Sequence, residues 1–386
     1  MSEADMNDQN DESDAHAIAL ERINIEAEAK TGSLDLSLEG LETLPDEISQ
    51  LNHLKALILT ETRVSDLWPV SELTDLALLD CADCGRLEDL SPLSGLISLR
   101  TLDISHTRVE DLAPLSDLTT LTGLYCNSSH IDDLTPLANL KNLEILHCSD
   151  TEVEYLECLS SLHALNALGL DFTPVRDLRP LQDLQGLQEL NCMQSQVKDI
   201  APLAHLTSLR TLDISLTQVE DISALRGLSR LEKLECAMVK VKDFAPLEGL
   251  TGLDELDISS TLIEDLDPLA DLHSLTSLNC LNTKISSLEP LRELTQLRVL
   301  RFSNTKVDNL EPLADLTALI KLDCAHTGVS DLNPLREMAV LEKIDCSYTP
   351  IEDFMPLKHL GALQEVDAEK TGRLWTFWLK LWPRAH

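Results

Sequence analysis

Aromatic side chains make up only 3% of the chain, and glycine contributes only 13 of its 386 residues. That scarcity suits a core built from one repeated aliphatic side chain, leucine. Basic residues are also few: 30 Lys and Arg stand against 67 Asp and Glu, a net charge of −37. Nucleic acids and anionic lipid surfaces are held through Lys and Arg, so this field repels both. It attracts a basic protein, and it also keeps a large leucine-rich body soluble. No apolar run approaches the roughly 18 residues of a membrane span. The first 14 residues, MSEADMNDQNDESD, have no basic start and no apolar stretch, so no secretory leader is expected and the chain reads as cytoplasmic. The phosphate-cradling pattern G-x-x-x-x-G-K-[ST] is missing. With no nucleophile motif or metal cluster either, neither an enzyme nor a cofactor is expected.

What fills the chain is a repeat of 22 residues. Residues 207–228 read TSLRTLDISLTQVEDISALRGL, and 251–272 read TGLDELDISSTLIEDLDPLADL. Fourteen such units run from Asn52 through Leu360, one of them (74–96) with an extra residue near Gly85. A 19-residue unit, 33–51, precedes them and a half unit, 361–371, follows. Apolar residues fall at unit positions 3, 6, 8, 13, 16, 19 and 22. The alternation at 6 and 8, as in Leu212 and Ile214, predicts a short strand with those side chains inward and positions 5, 7 and 9 outward. The D-L-x-P-L half cannot be a central strand, since Pro lacks a donor. It reads as a tight turn or 3-10 segment in which Asp66, Asp111, Asp177, Asp221 and Asp265 cap free N–H groups. Thr at position 11 is expected to bond the backbone that the turn leaves open. These features predict an α/β repeat solenoid. It is a leucine-rich-repeat horseshoe of about 15 coils, with parallel strands on the concave face and turns on the convex face.

Eight of the ten cysteines (Cys81, Cys126, Cys148, Cys192, Cys236, Cys280, Cys324, Cys346) occupy position 8, a slot shared with Ile104, Ile214, Ile258 and Phe302. A slot that accepts Cys, Ile or Phe is buried and apolar. The spacings do not match zinc ligands, and free thiols are expected. Cys84 and Cys158 lie outside this ladder. The triplets Cys81-Ala-Asp83 and Cys148-Ser-Asp150 are similar to the nucleophile motif of bacterial ubiquitin ligases, but the strand phase turns both thiols inward, away from substrate.

The ends differ from the middle. Residues 1–14 read as a disordered acidic tail. Residues 15–32 read as a capping helix that starts after Ser13 or Asp14 and stops at Gly32. The array 33–371 is followed by a Trp-rich basic segment, 372–386. There Trp375, Trp378 and Trp382 share one face of a short helix with Leu374, Phe377 and Leu381. Two roles fit it: a cap over the last coil, or docking to a partner or membrane surface.

Position 7 carries blocks of acid: Asp80 and Asp103; then Asp213, Glu235 and Asp257; then Asp323, Asp345 and Asp367. Like charges on adjacent strands disfavour each other, a cost that a basic partner would relieve. Between the first two blocks lies a less charged patch, Tyr125, His147 and Phe172 with His106 beside them, and Leu216 and Met238 follow at position 10. Such residues anchor protein interfaces. His106 and His147 stand two coils apart without a third ligand, and a flat row of carboxylates is a poor cage, so no metal is expected. The candidate binding residues are therefore Asp103, His106, Tyr125, His147, Phe172, Asp213, Glu235, Asp257, Asp323 and Asp345.

The unit L-x-x-L-x-x-L-x-C-x-x-T-x-V-x-D-L-x-P-L-x-x-L and the lead-in ALERINIEAEAKTGSLDLSLEGLETLPDEISQL resemble the repeats of bacterial Roco proteins over residues 15–360. The D-L-x-P-L half is also similar to bacterial internalins, which carry a secretory signal and usually Asn where this chain has Thr. In Roco proteins the repeats precede a GTPase domain, and the missing phosphate loop means that this activity does not carry over. The expectation is a non-catalytic interaction scaffold that binds a basic protein on its concave face, free-standing or beside a separate catalytic partner. Two other readings stand next to it: an inhibitor or immunity-type protein that masks a basic enzyme, and a bacterial effector delivered into host cells.

Overall fold

The computed structural model describes the backbone of residues 3–371 and the side chains of residues 12–371. Helix α1 (Glu3–Ala29) opens the chain and is the only α-helix among the described residues. Ala15, Ala19 and Ile23 recur every four residues and are buried, a narrow stripe on one helix face. That stripe meets β1 (Ser33–Asp35) and the 3-10 turn Asp46–Gln50. The helix starts upstream of residue 15, so Ser13 and Asp14 lie inside it, along with much of the segment expected as a tail. It also stops earlier than Gly32. Lys30 already takes a left-handed conformation (φ 53°), and Gly32 follows at φ 82°. Glu26 sets this exit. Its carboxylate accepts bonds from Gly32 N–H (2.7 Å), the Thr31 hydroxyl (2.6 Å) and His53 Nε2 (2.9 Å). Burial alone would raise its pKa, but these donors hold it below the ordinary value.

Among the described residues sixteen three-residue strands alternate with fifteen 3-10 turns, and the chain divides into two compact units, Met1–Val197 and Lys198–His386. The first unit carries β1, β2 (Ala56–Ile58), β3 (Leu78–Asp80), β4 (Thr101–Asp103), β5 (Gly123–Tyr125), β6 (Ile145–His147), β7 (Ala167–Gly169) and β8 (Glu189–Asn191). Each pairs in parallel with the next. The second carries β9 (Thr211–Asp213), β10 (Lys233–Glu235), β11 (Glu255–Asp257), β12 (Ser277–Asn279), β13 (Val299–Arg301), β14 (Lys321–Asp323), β15 (Lys343–Asp345) and β16 (Glu365–Asp367). These also pair in parallel and in chain order. Because every strand is one repeat further on, identical positions stand side by side.

Inside each unit the leucines at positions 3, 6, 16, 19 and 22, with Val or Ile at position 13, form the core, most of them with no exposed surface. Each fully buried leucine contributes about 2 kcal/mol of apolar transfer, set against the entropy of ordering its coil. Two polar ladders close the backbone that the core would strand. The position-11 hydroxyl donates to the position-8 carbonyl of its own coil: Thr107 to Ile104, Thr151 to Cys148, Thr217 to Ile214, Thr349 to Cys346. At the next bend Asp66, Asp111, Asp177, Asp221 and Asp265 accept the N–H two residues on, at 2.7–2.9 Å, as each 3-10 turn begins. Both roles follow from the repeat phase.

Candidate protein-interaction surface

One feature of the surface recurs in every coil after the first. The position-10 residue, from Glu61 to Lys370, sits in left-handed backbone with φ between 51° and 61°. None of these residues is glycine, the one residue that takes this conformation freely. None is β-branched, for which it is a genuine outlier. Within each unit the side chains project beside the strands and form a column.

In the second unit the column is partly self-satisfied. Asn282 Nδ2 donates to Ser260 Oγ (3.0 Å), and Asn304 Nδ2 to Asn282 Oδ1 (2.6 Å). His326 stacks on Tyr348 with ring centroids 4.1 Å apart, and the Lys370 ammonium lies 4.9 Å from the Tyr348 centroid. Leu216 (φ 59°, 36% exposed) and Met238 (φ 58°, 57% exposed) break this pattern as adjacent apolar side chains.

Position 7 is more structural than its charge suggested. The Asp103 Oδ1 accepts Ser105 N–H at 2.8 Å, and Asp257, Asp323 and Asp345 do the same with Ser259, Ala325 and Ser347. A carboxylate that holds the N–H two residues on is an Asx turn, and it fastens the strand end to the bend. Asp323 also accepts the Ser303 hydroxyl (3.0 Å), and Asp257 accepts Asn279 Nδ2 (2.8 Å). Basic residues at position 5 neutralise others. Lys233 bonds Glu235 at 2.8 Å and Glu255 at 3.5 Å, and Lys343 bonds Glu365 at 2.7 Å and Asp367 at 3.6 Å.

Asp213 departs from the expected water-facing placement, being only 8% exposed. Its Oδ1 accepts Ser215 N–H (2.8 Å), and its register partner across the ladder is Glu235. Burial first, and then the neighbouring Glu235 carboxyl, push its pKa up to about 6. For Glu235, burial works upward but Lys233 and Asp213 prevail and bring it below its ordinary value. Reversing Asp213 to a base would therefore disturb the fold as well as the surface.

In the first unit Tyr125 and His147, register partners on β5 and β6, meet edge to face at 5.2 Å between centroids. Gly169 leaves room beside them, since a Cβ there would lie 3.2 Å from Ser149 Oγ and 3.5 Å from the His147 ring. His106 (φ 57°) and Phe172 (φ 57°, 43% exposed) stand in the left-handed column. Phe172 lines an open groove of about 660 Å³ with His130, Asp150, Glu152, Pro174, Gln194 and Gln196. The sequence reading did not include that groove. Its one signal was an aromatic at position 10 followed by Pro174.

The cysteine ladder is inert in its geometry. Cys126, Cys148, Cys236, Cys280 and Cys346 are buried, and each thiol donates to the position-7 carbonyl of the next coil at 3.3–3.4 Å. Burial pushes Cys148 up to about 12, with Asp171 adding to it, the reverse of what a nucleophile needs. Among the described residues no group of three or more His, Cys, Asp or Glu could hold a metal ion, and no helix is long and apolar enough to cross a membrane. Trp375, Trp378 and Trp382 lie outside the described residues.

A coil of one short strand, a left-handed bend and a 3-10 turn, stacked in register, defines a leucine-rich-repeat solenoid. A family model for leucine-rich repeats in two copies matches residues 97–139 and 185–227. No curated protein matches the sequence. Among solved structures, an internalin from Listeria monocytogenes is 26% identical, with a TM-score of 0.72 over 91% of this chain and 94% of its own. A leucine-rich-repeat protein of Leptospira interrogans superposes with a TM-score of 0.78 at 19% identity, covering 86% of this chain and 90% of its own. The functional domain of InlJ from Listeria monocytogenes, which includes a cysteine ladder, gives 0.70 at 22% identity, covering 85% and 71%. The chain thus has the leucine-rich-repeat fold and is similar to internalins and the Leptospira protein. The likeness to Roco repeats rests on the motif alone.

Proposed function

We propose that the chain is a non-catalytic scaffold that binds a basic protein partner on its strand face and on the left-handed column beside it. One observation carries this reading: Leu216 and Met238 are exposed apolar side chains held in backbone that costs about 1–2 kcal/mol per residue. That backbone recurs at position 10 along the repeat, so it is the exposed apolar pair displayed here that supports a partner contact. The adjoining strands supply Glu235, Glu255 and Asp257, with Lys233 as the partial counterion. An apolar anchor ringed by carboxylates suits a partner segment that carries Lys or Arg around an apolar side chain. The same acidic rows support the reading as an inhibitor that masks a basic enzyme; that partner would lose activity when bound.

The test is recovery of tagged full-length protein from its native cells at low salt, beside a Leu216→Asp/Met238→Asp double variant. A basic protein that co-purifies, dissociates at high salt and drops at least tenfold with the variant is the expected result. A partner held equally by the variant would place the contact elsewhere. A partner indifferent to salt would remove the charge argument.

A further inference from the structure

In each coil the bend after the strand brings the side chains of positions 8 and 11 inward together, which is why a position-11 hydroxyl reaches a position-8 carbonyl. In the coil 74–96 both positions are cysteine: Cys81 and Cys84. The Cys84 N–H bonds the Cys81 carbonyl at 3.2 Å, closing the four-residue turn. Such a turn holds its outer Cα atoms within about 7 Å, at the reach of a disulfide, roughly 4.4–6.8 Å. Both side chains are buried inside that turn, and each sulfur perturbs the ionisation of the other.

We propose that Cys81 and Cys84 form a redox-active dithiol that exchanges with small-molecule disulfides and closes to an intramolecular disulfide. Cys84 is the attacking sulfur. The Cys84 thiol donates to the Leu59 carbonyl at 3.2 Å, while the neighbouring Cys81 and the Thr62 hydroxyl, 3.2 Å away, favour its thiolate against burial; Cys81 is pushed well up. Cys84 is itself buried, 1% exposed, but the residues around it are open. Asp83, Gly85 and Arg86 around it are exposed, a Cβ on Gly85 would touch nothing, and this coil alone holds an extra residue there. Local opening of that bend exposes Cys84 while the core leucines stay in place.

The exchange balances with a disulfide such as oxidised glutathione. The Cys84 thiolate attacks one glutathione sulfur, a mixed disulfide forms, and the other glutathione leaves as thiolate and takes up the Cys84 proton. Cys81, losing its proton to solvent, then attacks the Cys84 sulfur and expels the second glutathione, which is protonated in turn. Two thiol hydrogens end on two glutathione molecules, and no other oxidant is needed.

The test is mass spectrometry of the folded full-length protein after oxidised glutathione, acid quench, unfolding and iodoacetamide. Trypsin releases Val64–Arg86, which contains Cys81 and Cys84 and no other cysteine. The expected peptide is two hydrogens lighter and unalkylated, while the ladder cysteines are recovered alkylated. In Cys81→Ala the same treatment should leave one glutathione on Cys84, and in Cys84→Ser, a residue that Ser129 and Ser195 show position 11 to accept, none on Cys81. A Val64–Arg86 peptide carrying two alkyl groups after full incubation overturns the proposal. So does a wild-type product that stops at the mixed disulfide.

Discussion

Asp213 and Glu235 stand in register on neighbouring strands, carboxyl beside carboxyl, and only Asp213 is driven toward its neutral form. Two strands further on, the same register is met differently, because Asn279 donates its amide to Asp257. The fold itself therefore shows the substitution that would relieve Asp213.

Asp213→Asn is expected to stabilise the protein at pH 8 by about 2 kcal/mol and to do little at pH 4. The Asp213 pKa is raised on folding, from 3.8 to about 6. Its contribution is therefore fully favourable below the unfolded value and is lost as pH rises through the folded one. Urea midpoints measured across pH 4–8 check this; a gain that is the same at both ends would mean that the carboxyl is not perturbed.

Met238 tests the left-handed column. Met238→Gly removes a steric cost of about 1–2 kcal/mol and adds a chain-entropy cost of about 0.5–1 kcal/mol, so stability should hold or rise slightly. Met238→Val should lower it by about 1–2 kcal/mol. Thermal midpoints of the two variants should fall on opposite sides of the parent; the reverse order would contradict the φ of 58°.

Thr217→Val deletes the hydroxyl that donates to the Ile214 carbonyl and should cost about 1 kcal/mol. Thr217→Ser should recover most of it, as Ser129 makes the same bond to Cys126 in another coil. Equal losses in both variants would assign the effect to packing of the methyl group.

The ladder thiols should resist alkylation in the folded protein. With Cys148 near 12, the thiolate at pH 8 is about one molecule in ten thousand, and burial blocks access as well. Iodoacetamide at pH 8 is expected to label Cys148 only after unfolding. Rapid labelling of the folded chain would reinstate the Cys148-Ser-Asp150 triplet as a nucleophile.

The periodic features were legible in the sequence because they are enforced fourteen times. Leu212 and Ile214 announce an inward pair, Asp221 a cap, Thr217 a bond across the bend. Asp213 was misjudged because Asp103 and Asp257 occupy the same position, and the difference between them comes from burial by neighbours rather than from the repeat. Position 7 acids were taken as free charge because an Asx turn and a solvated carboxylate leave the same letter. The left-handed column did leave a trace, the lack of Val, Ile and Thr at position 10 from Glu61 to Lys370, but it is visible only once the phase is fixed. The groove beside Phe172 draws on four coils at once, which a single-unit pattern does not encode.

The left-handed bend also limits how this surface can change. Its backbone rejects β-branched side chains and treats most others alike, so each coil offers one position with a restricted alphabet that the core does not read. Replacing Leu216 with Gln or Met238 with His alters the message without moving a leucine. Partner choice can therefore be respelled coil by coil while the frame that displays it stays the same.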